Sequence, residues 1–177
     1  DFCILMRSPR SRSEYYIKAL TEEGLTGTAD NSGGFFQTRE ISAVVNLLLA
    51  LDNPLLDVEL TGAMLSPMFS FTDDELAEIR LCKKRVPFYL AVAESAKEGN
   101  EKCTKLIDIF DKLRYYAATH PADELIMEIY RLTNWLELAR AMPFGDGRRS
   151  NLLLLAEYAK YYDTMGYKGL GGVCPTF

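Results

Sequence analysis

From Thr38 onward, apolar residues recur at the three- and four-residue spacing of a helix, and this periodicity constrains the fold more than any other feature. The first such segment ends at the Asn-Pro pair of residues 53–54, and five apolar residues share one of its faces: Ile41, Val44, Val45, Leu48 and Leu51. Because such faces continue almost without interruption, we predict a mainly α protein with strands confined to the region before Thr38.

Local signals place several of these helices. Thr72 and Glu75 occupy the two positions of a capping box, and Phe71 and Leu76 occupy those of a hydrophobic staple, so a helix should begin at Thr72. Further helices are predicted over residues 106–117, from Pro121 through residue 129, and after Ser150.

The first 37 residues have a different pattern. Residues 2–6, FCILM, form a short apolar run that ends in a loop at residues 7–9, which is typical of a buried strand. Ser11 and Glu14 fit a second capping box, followed by a helix to Leu20. A second extended piece over residues 26–29 leads into a glycine turn at 31–34. We therefore predict a strand-loop-helix unit over residues 1–37 and a helical subdomain over residues 38–177.

Composition excludes several classes of protein. No apolar run approaches the roughly 20 residues that a bilayer span needs, so no membrane anchor is expected. The four cysteines are scattered and there is one histidine, so we predict no zinc site and reduced thiols in a cytoplasmic protein. Because the chain begins without an initiator Met or a leader, we expect it to be a piece of a longer polypeptide.

No complete catalytic site is visible in the sequence. No GxxxxGK[ST] loop is present to hold a nucleotide phosphate, and the single histidine cannot supply a Ser-His-Asp group. His120 directly precedes Pro121 and is expected near a helix N-terminus. The acidic pair Asp73 and Asp74 is explained by the helix dipole, so no metal is predicted there.

The best candidate for a nucleic-acid contact is the loop after the first apolar run. It concentrates positive charge where a strand end leaves backbone amides free, and we predict that DNA contacts Arg7, Ser8, Arg10 and Arg12, with Arg39 a possible neighbour. A merely solvated loop is the alternative. The acidic stretch between Asp52 and Arg80 would repel phosphate, whereas the cluster at residues 83–85 is basic.

Three tyrosine pairs add exposed aromatic candidates. At residues 15–16, 115–116 and 161–162, helical spacing predicts one ring toward the core and one toward solvent. Exposed rings can stack on unpaired bases, although simple packing explains most such pairs.

Several segments resemble a known family. Residues 2–8, FCILMRS, with Arg12 and the helix after it resemble the strand and "hRS/T" loop of UvrD-like superfamily-one DNA helicases. The order of the later segments is similar to that of AddA, also called RexA, the helicase-nuclease subunit of bacterial double-strand-break repair. These segments are 34–41 (GFFQTREI), 51–57 (LDNPLLD), 65–76 (LSPMFSFTDDEL), 146–152 (DGRRSNL) and 156–159 (AEYA).

The resemblance implies that residues 1–37 are part of the second RecA-like motor domain and residues 38–177 its helical 2B-type accessory subdomain. ATP and Mg would then act elsewhere in the parent protein, and this segment would hold no cofactor. The implied partners are DNA, bound weakly in isolation, the remainder of the helicase chain and an AddB/RexB-like subunit. One departure concerns the loop at residues 67–71, which lacks the glycine that UvrD-type accessory domains use against duplex DNA.

We therefore expect a non-catalytic accessory region of an ATP-dependent DNA helicase/exonuclease. The alternative is a free-standing helical protein-interaction module that does not bind DNA.

Overall fold

The computed structural model describes residues 3–4, 13–27 and 34–164, and all regular secondary structure within these ranges is helical. The chain forms two compact units, Asp1–Thr38 and Arg39–Phe177. The first contains α1 (Ser13–Glu22) and a 3-10 turn (Phe35–Gln37). The second contains α2 (Arg39–Asp52), α3 (Asp57–Leu65), α4 (Asp73–Cys82), α5 (Phe88–Lys97), α6 (Glu101–Ala117), α7 (Ala122–Thr133), α8 (Trp135–Arg140) and α9 (Gly145–Thr164). The predicted mainly α class is confirmed.

The strand predicted at the start of the chain is not shown. Cys3 and Ile4 have no regular structure and are exposed, Ile4 to 55% of its surface, and the rest of this segment lies outside the described residues. The predicted burial is wrong for these two side chains, because burying a strand requires a neighbouring strand and the described ranges contain none. The assignment of the first unit to a motor domain stays a prediction.

The second unit is built around α2. This helix packs against α3, α6 and α9, so it is covered on more than one side. Of its predicted apolar face, Ile41, Val44, Leu48 and Leu51 are buried, whereas Val45 is half-buried. Three further apolar residues outside that face, Ala43, Leu47 and Ala50, are also buried. The packing thus extends beyond the single stripe that the periodicity predicts.

The remaining helices form two arms that both contact α2. In the first arm α3 contacts α5, and α4, α5 and α6 pack in succession; in the second α7, α8 and α9 pack against one another, and α6 packs against α7 to join the arms. The buried Tyr130 of α7 joins two of these helices, because its hydroxyl donates to the Leu152 carbonyl of α9 at 2.8 Å. Burial raises the pKa of Tyr130 far above its ordinary value, so this phenol stays a hydrogen-bond donor.

The predicted start of α4 agrees with the structure, whereas the capping box predicted at Ser11 lies outside the described residues. At α4 the Glu75 amide donates to the Thr72 hydroxyl at 3.2 Å and the Thr72 amide donates to the Glu75 carboxylate at 2.8 Å, which confirms the capping box. The start of α9 was predicted after Ser150 but lies at Gly145. Its first turns are polar, so apolar spacing cannot mark them. Within the described ranges, no helix is both long and apolar enough to cross a bilayer.

Candidate nucleic-acid interface

Of the residues predicted to contact DNA, the structure describes only Arg39. Arg7, Ser8, Arg10 and Arg12 lie outside the described residues. Arg39 is the first residue of α2 and is exposed, and its guanidinium has no hydrogen bond or ion pair with any described residue. A cation without a carboxylate partner keeps its full charge available to a phosphate. Arg39 is therefore accessible, and its contact with DNA stays a prediction.

The next residue, Glu40, forms a buried polar junction. Its carboxylate is 2% exposed and accepts hydrogen bonds from the Arg148 guanidinium and, at 2.9 Å, from the Asn151 amide. Its backbone carbonyl accepts from the indole nitrogen of the buried Trp135 at 3.3 Å. Each carboxylate oxygen thus has a donor, which is what a buried charge requires. We call Glu40, Trp135, Arg148 and Asn151 the Glu40 junction.

Arg148 also anchors the loop between α8 and α9. Its Nε donates to the Pro143 carbonyl at 2.9 Å, and its backbone amide donates to the Phe144 carbonyl at 3.1 Å. The loop folds back tightly, because a Cβ on Gly145 would lie 1.8 Å from the Arg140 carbonyl oxygen. Residues 141–145, which we call the Phe144 loop, are therefore fixed to the Glu40 junction through one guanidinium.

This loop holds Phe144 in an unusual state. Its backbone lies in the left-handed region with φ at 61°, which a residue with a Cβ rarely adopts, and 82% of its surface is exposed. Non-glycine residues in this region often mark functional sites, where the surrounding contacts hold them. The structure thus holds a large aromatic ring in solvent at a backbone position that costs free energy.

Arginines flank the Phe144 loop in the chain. Arg140 ends α8, and its nearest acid is the exposed Asp146, with 3.6 Å between the Arg140 Nε and the carboxylate. Arg149, on the first turns of α9, is half-buried, and its Nε has no hydrogen-bond acceptor among the described residues. Arg39 adjoins Glu40, which contacts Arg148 directly. The loop therefore lies in a region with cations that are weakly paired or lack an acid partner within the described chain.

The loop at residues 67–71, which precedes α4, is also defined. Ser70 adopts a φ of 53°, so this turn reaches a left-handed conformation without glycine. Its carbonyl accepts from the Lys102 ammonium at 3.1 Å, and that ammonium also pairs with Glu75 at 2.7 Å. The turn is thus fixed to α6, and an acidic helix start follows it at residues 73–75. This surface does not favour phosphate.

The basic cluster at residues 83–85 is exposed between α4 and α5. Asp57, at the start of α3, contacts residues on both sides of this cluster in the chain. Its carboxylate pairs with Arg80 at 2.9 Å and accepts a hydrogen bond from the Phe88 amide at 2.7 Å. Arg80 also donates to the Val86 carbonyl at 2.6 Å. One carboxylate therefore joins three helices and caps α5, whose N-cap residue Pro87 has no capping side chain.

The tyrosine pairs divide as predicted at two of three places. Tyr115 is 77% exposed and Tyr116 is half-buried, and residues 161 and 162 differ in the same sense. Tyr15 and Tyr16 are both exposed, so the prediction is wrong for α1. In the described part of the first unit, residues 25–27 approach Leu20 and Ile17 of α1. Little else packs against this helix, so both tyrosine rings stay exposed.

His120 lies at the predicted position, one residue before the Pro121 N-cap of α7. Its ring stacks on Tyr116 with centroids 3.7 Å apart and planes 7° apart. Throughout residues 3–4, 13–27 and 34–164, no three His, Cys, Asp or Glu side chains come together in a way that could hold a metal ion.

Fold and surface thus define a helical unit with a buried ion pair beneath an exposed aromatic loop. No family model matches the chain. Over 96% of its length it is 34% identical to the A subunit of the ATP-dependent helicase/nuclease of Thermoanaerobacter sp. (strain X514). The proteins of the same name from Clostridium perfringens and Lactobacillus acidophilus are 35% and 36% identical, also over 96% of the chain. The chain is homologous to a segment of these helicase/nuclease proteins, which confirms the resemblance seen in its motifs.

The chain spans about 14% of the length of these relatives. Two of the segments that carry the resemblance, 34–41 and 146–152, meet in the structure at the Glu40 junction. They supply Glu40 from one side and Arg148 with Asn151 from the other. Three of the four residues of the junction, Glu40, Arg148 and Asn151, therefore lie in segments that carry the resemblance, although no spacing rule connects them in sequence.

Proposed function

We propose that this chain is a non-catalytic accessory region of an ATP-dependent DNA helicase/nuclease, where it contributes to DNA engagement and to contacts with other subunits. The similarity to the helicase/nuclease relatives along 96% of the chain carries the proposal. The helical second unit fits the 2B-type accessory subdomain that the resemblance implies.

The sequence and the described surface support a role in binding. No phosphate-binding loop occurs in the sequence, so ATP and Mg would be held by other parts of the parent protein. The proposed protein partners are the rest of the helicase chain and an AddB/RexB-like subunit. Single-stranded DNA would contact Arg7, Ser8, Arg10, Arg12 and Arg39.

Binding by the chain alone should be weak and sensitive to salt, since a few phosphate contacts release few counterions. The test is a salt titration of single-stranded DNA affinity for the Arg7→Gln/Arg10→Gln variant, with Lys83→Gln/Lys84→Gln as the matched control. Each phosphate interaction that the substitutions remove should lower the salt slope by about one. Equal slopes for the arginine variant and the unchanged chain would leave these residues a solvated loop.

Catalysis is tested separately. Purified chain should hydrolyse neither ATP nor DNA, and DNA-stimulated ATP turnover that survives rigorous purification would contradict the proposal.

The alternative, a free-standing interaction module, predicts no DNA binding at any salt concentration. The encoding locus also separates the two proposals. A reading frame that continues on both sides into a phosphate-binding loop and a nuclease domain supports the accessory region, and one that ends near Phe177 supports the module.

A further inference from the structure

We propose that the Phe144 loop is a stacking platform for an unpaired base of single-stranded DNA, with Arg39, Arg140 and Arg149 binding the adjacent phosphates. This inference rests on the proposed function, because it names a contact through which this region would engage DNA. It adds residues that are separate in sequence from the loop of Arg7 to Arg12.

Phe144 has an unfavourable conformation and environment. A phenylalanine gains free energy by burial and avoids the left-handed region, yet this one is 82% exposed with φ at 61°. Packing within the described chain therefore does not account for it. A ligand that covers the ring would supply the missing burial.

The Phe144 loop is held in place by hydrogen bonds. The Arg148 guanidinium donates to the Pro143 carbonyl and is held by the buried carboxylate of Glu40. The Arg148 backbone amide donates to the Phe144 carbonyl. A ring on a fixed loop loses little conformational freedom on binding, which favours stacking. A platform for a flat base needs this kind of support.

The charged residues around the Phe144 loop indicate which ligand would cover the ring. An apolar protein pocket could also cover Phe144, but it would not use the cations nearby. Arg39 and Arg149 have no acid partner among the described residues, and Arg140 has only a 3.6 Å pair with Asp146, whose side chain is 94% exposed. Glu137 on α8 is a further exposed acid nearby in the chain, so the charge is not uniformly positive. An exposed aromatic ring on a loop that Arg140 and Arg149 flank in the chain, and that Arg148 connects to the helix start at Arg39 and Glu40, matches a base and its phosphates.

The test compares three substitutions of Phe144 in the 177-residue chain, with fluorescence anisotropy of a labelled oligothymidylate at low salt as the readout. Phe144→Ala should weaken binding by about 5- to 150-fold, the range expected for one stacked base. Phe144→Leu should weaken it similarly, because leucine keeps the apolar contact but has no aromatic face. Phe144→Trp should retain affinity. The fluorescence of the tryptophan at position 144 should be quenched when the oligonucleotide binds, and the buried Trp135 contributes the background signal.

Leu81→Ala is the control, since it removes an exposed large apolar side chain from the regular helix α4 and should leave affinity unchanged. Arg39→Gln and Arg149→Gln should each flatten the salt dependence of binding. Thermal unfolding of every variant verifies that the fold is retained.

The outcomes separate the two proposals. Salt-sensitive binding that is equal in Phe144→Ala and the unchanged chain would overturn the stacking platform and leave the proposed function standing. Loss with alanine but full affinity with leucine would also overturn it, in favour of an apolar pocket. No binding by the unchanged chain at low salt would overturn both.

Discussion

Glu40 at the start of α2 and Arg148 on α9 form an ion pair that joins positions 108 residues apart in the chain. The carboxylate is almost completely buried, whereas the guanidinium retains 22% of its side-chain surface. The Asn151 side-chain amide donates a hydrogen bond to the second carboxylate oxygen, and the Trp135 indole donates one to the backbone carbonyl of Glu40. The junction is thus a polar cluster in which two half-buried donors, Arg148 and Asn151, hold a buried carboxylate and the buried Trp135 holds the backbone carbonyl of the same residue.

Removing the carboxylate should destabilise the protein strongly. We expect Glu40→Ala to lower the free energy of unfolding by about 3–5 kcal/mol, because it leaves the Arg148 charge and the Asn151 amide unpaired. Lys97→Ala, which removes the exposed pair with Glu94 at 3.8 Å, should cost about 0.5 kcal/mol or less. Urea denaturation measures both, and equal small losses would show that the junction contributes little.

Asp57 should stabilise the protein through two separable contacts. Asp57→Ala loses both the Arg80 pair and the hydrogen bond from the Phe88 amide, at a cost of about 2 kcal/mol. Asp57→Asn keeps an oxygen for the Phe88 amide and should cost about half as much. Chemical denaturation of the two variants orders the contacts. If asparagine were as harmful as alanine, the ion pair would be the dominant contact.

The backbone of Phe144 predicts a gain in stability on substitution. Phe144→Gly should raise the free energy of unfolding by about 1 kcal/mol, because glycine adopts a positive φ without the Cβ penalty. The same substitution at Tyr115, in the interior of α6, should lower it by about 1 kcal/mol. Thermal unfolding reports both signs. A destabilised Phe144→Gly protein would mean that the ring makes contacts that stabilise the fold.

Acid should weaken the fold through two carboxylates. The Lys102 ammonium and the Thr72 amide lower the pKa of Glu75 below its ordinary value of 4.5, and Arg131 lowers the pKa of Glu128 likewise. A depressed pKa in the folded state gives stability that is complete above the unfolded value and is lost as the pH falls through the folded value. The free energy of unfolding should therefore decline below about pH 4.5.

The matched variants for this prediction are glutamines. Glu75→Gln and Glu128→Gln should each flatten part of the decline when unfolding is measured across this pH range. Glu157→Gln removes an exposed glutamate of α9 with no hydrogen bond or ion pair in the described part of the chain, and it should leave the slope unchanged.

The sequence predicted what short-range chemistry determines. The capping box at Thr72 is visible because both of its partners lie within four residues, and α2, α6 and α7 are visible because their apolar faces repeat. The start of α9 was missed because its first turns contain glycine, aspartate, arginine and serine, without an apolar stripe.

The candidate site was harder to predict. A glutamate in the first turn of a helix ordinarily faces solvent and favours the helix dipole, so nothing local marks Glu40 as buried. Its partners are 108 and 111 residues away. The left-handed backbone of Phe144 depends on the same long-range contact through Arg148. Periodicity cannot report such pairs, although the resemblance included both segments that form them.

The distance in sequence between Glu40 and Arg148 has a kinetic consequence. Closing a loop of that length costs about 1 kcal/mol more in chain entropy than the contacts among α3, α4 and α5, which join residues only 23 and 31 positions apart. We therefore expect the helices of the first arm to assemble before the junction closes, so that a Glu40 variant unfolds faster while its refolding rate changes little. Stopped-flow chevron plots measure both rates. Trp135 is the single tryptophan and binds the Glu40 carbonyl, so its emission follows the closing event itself.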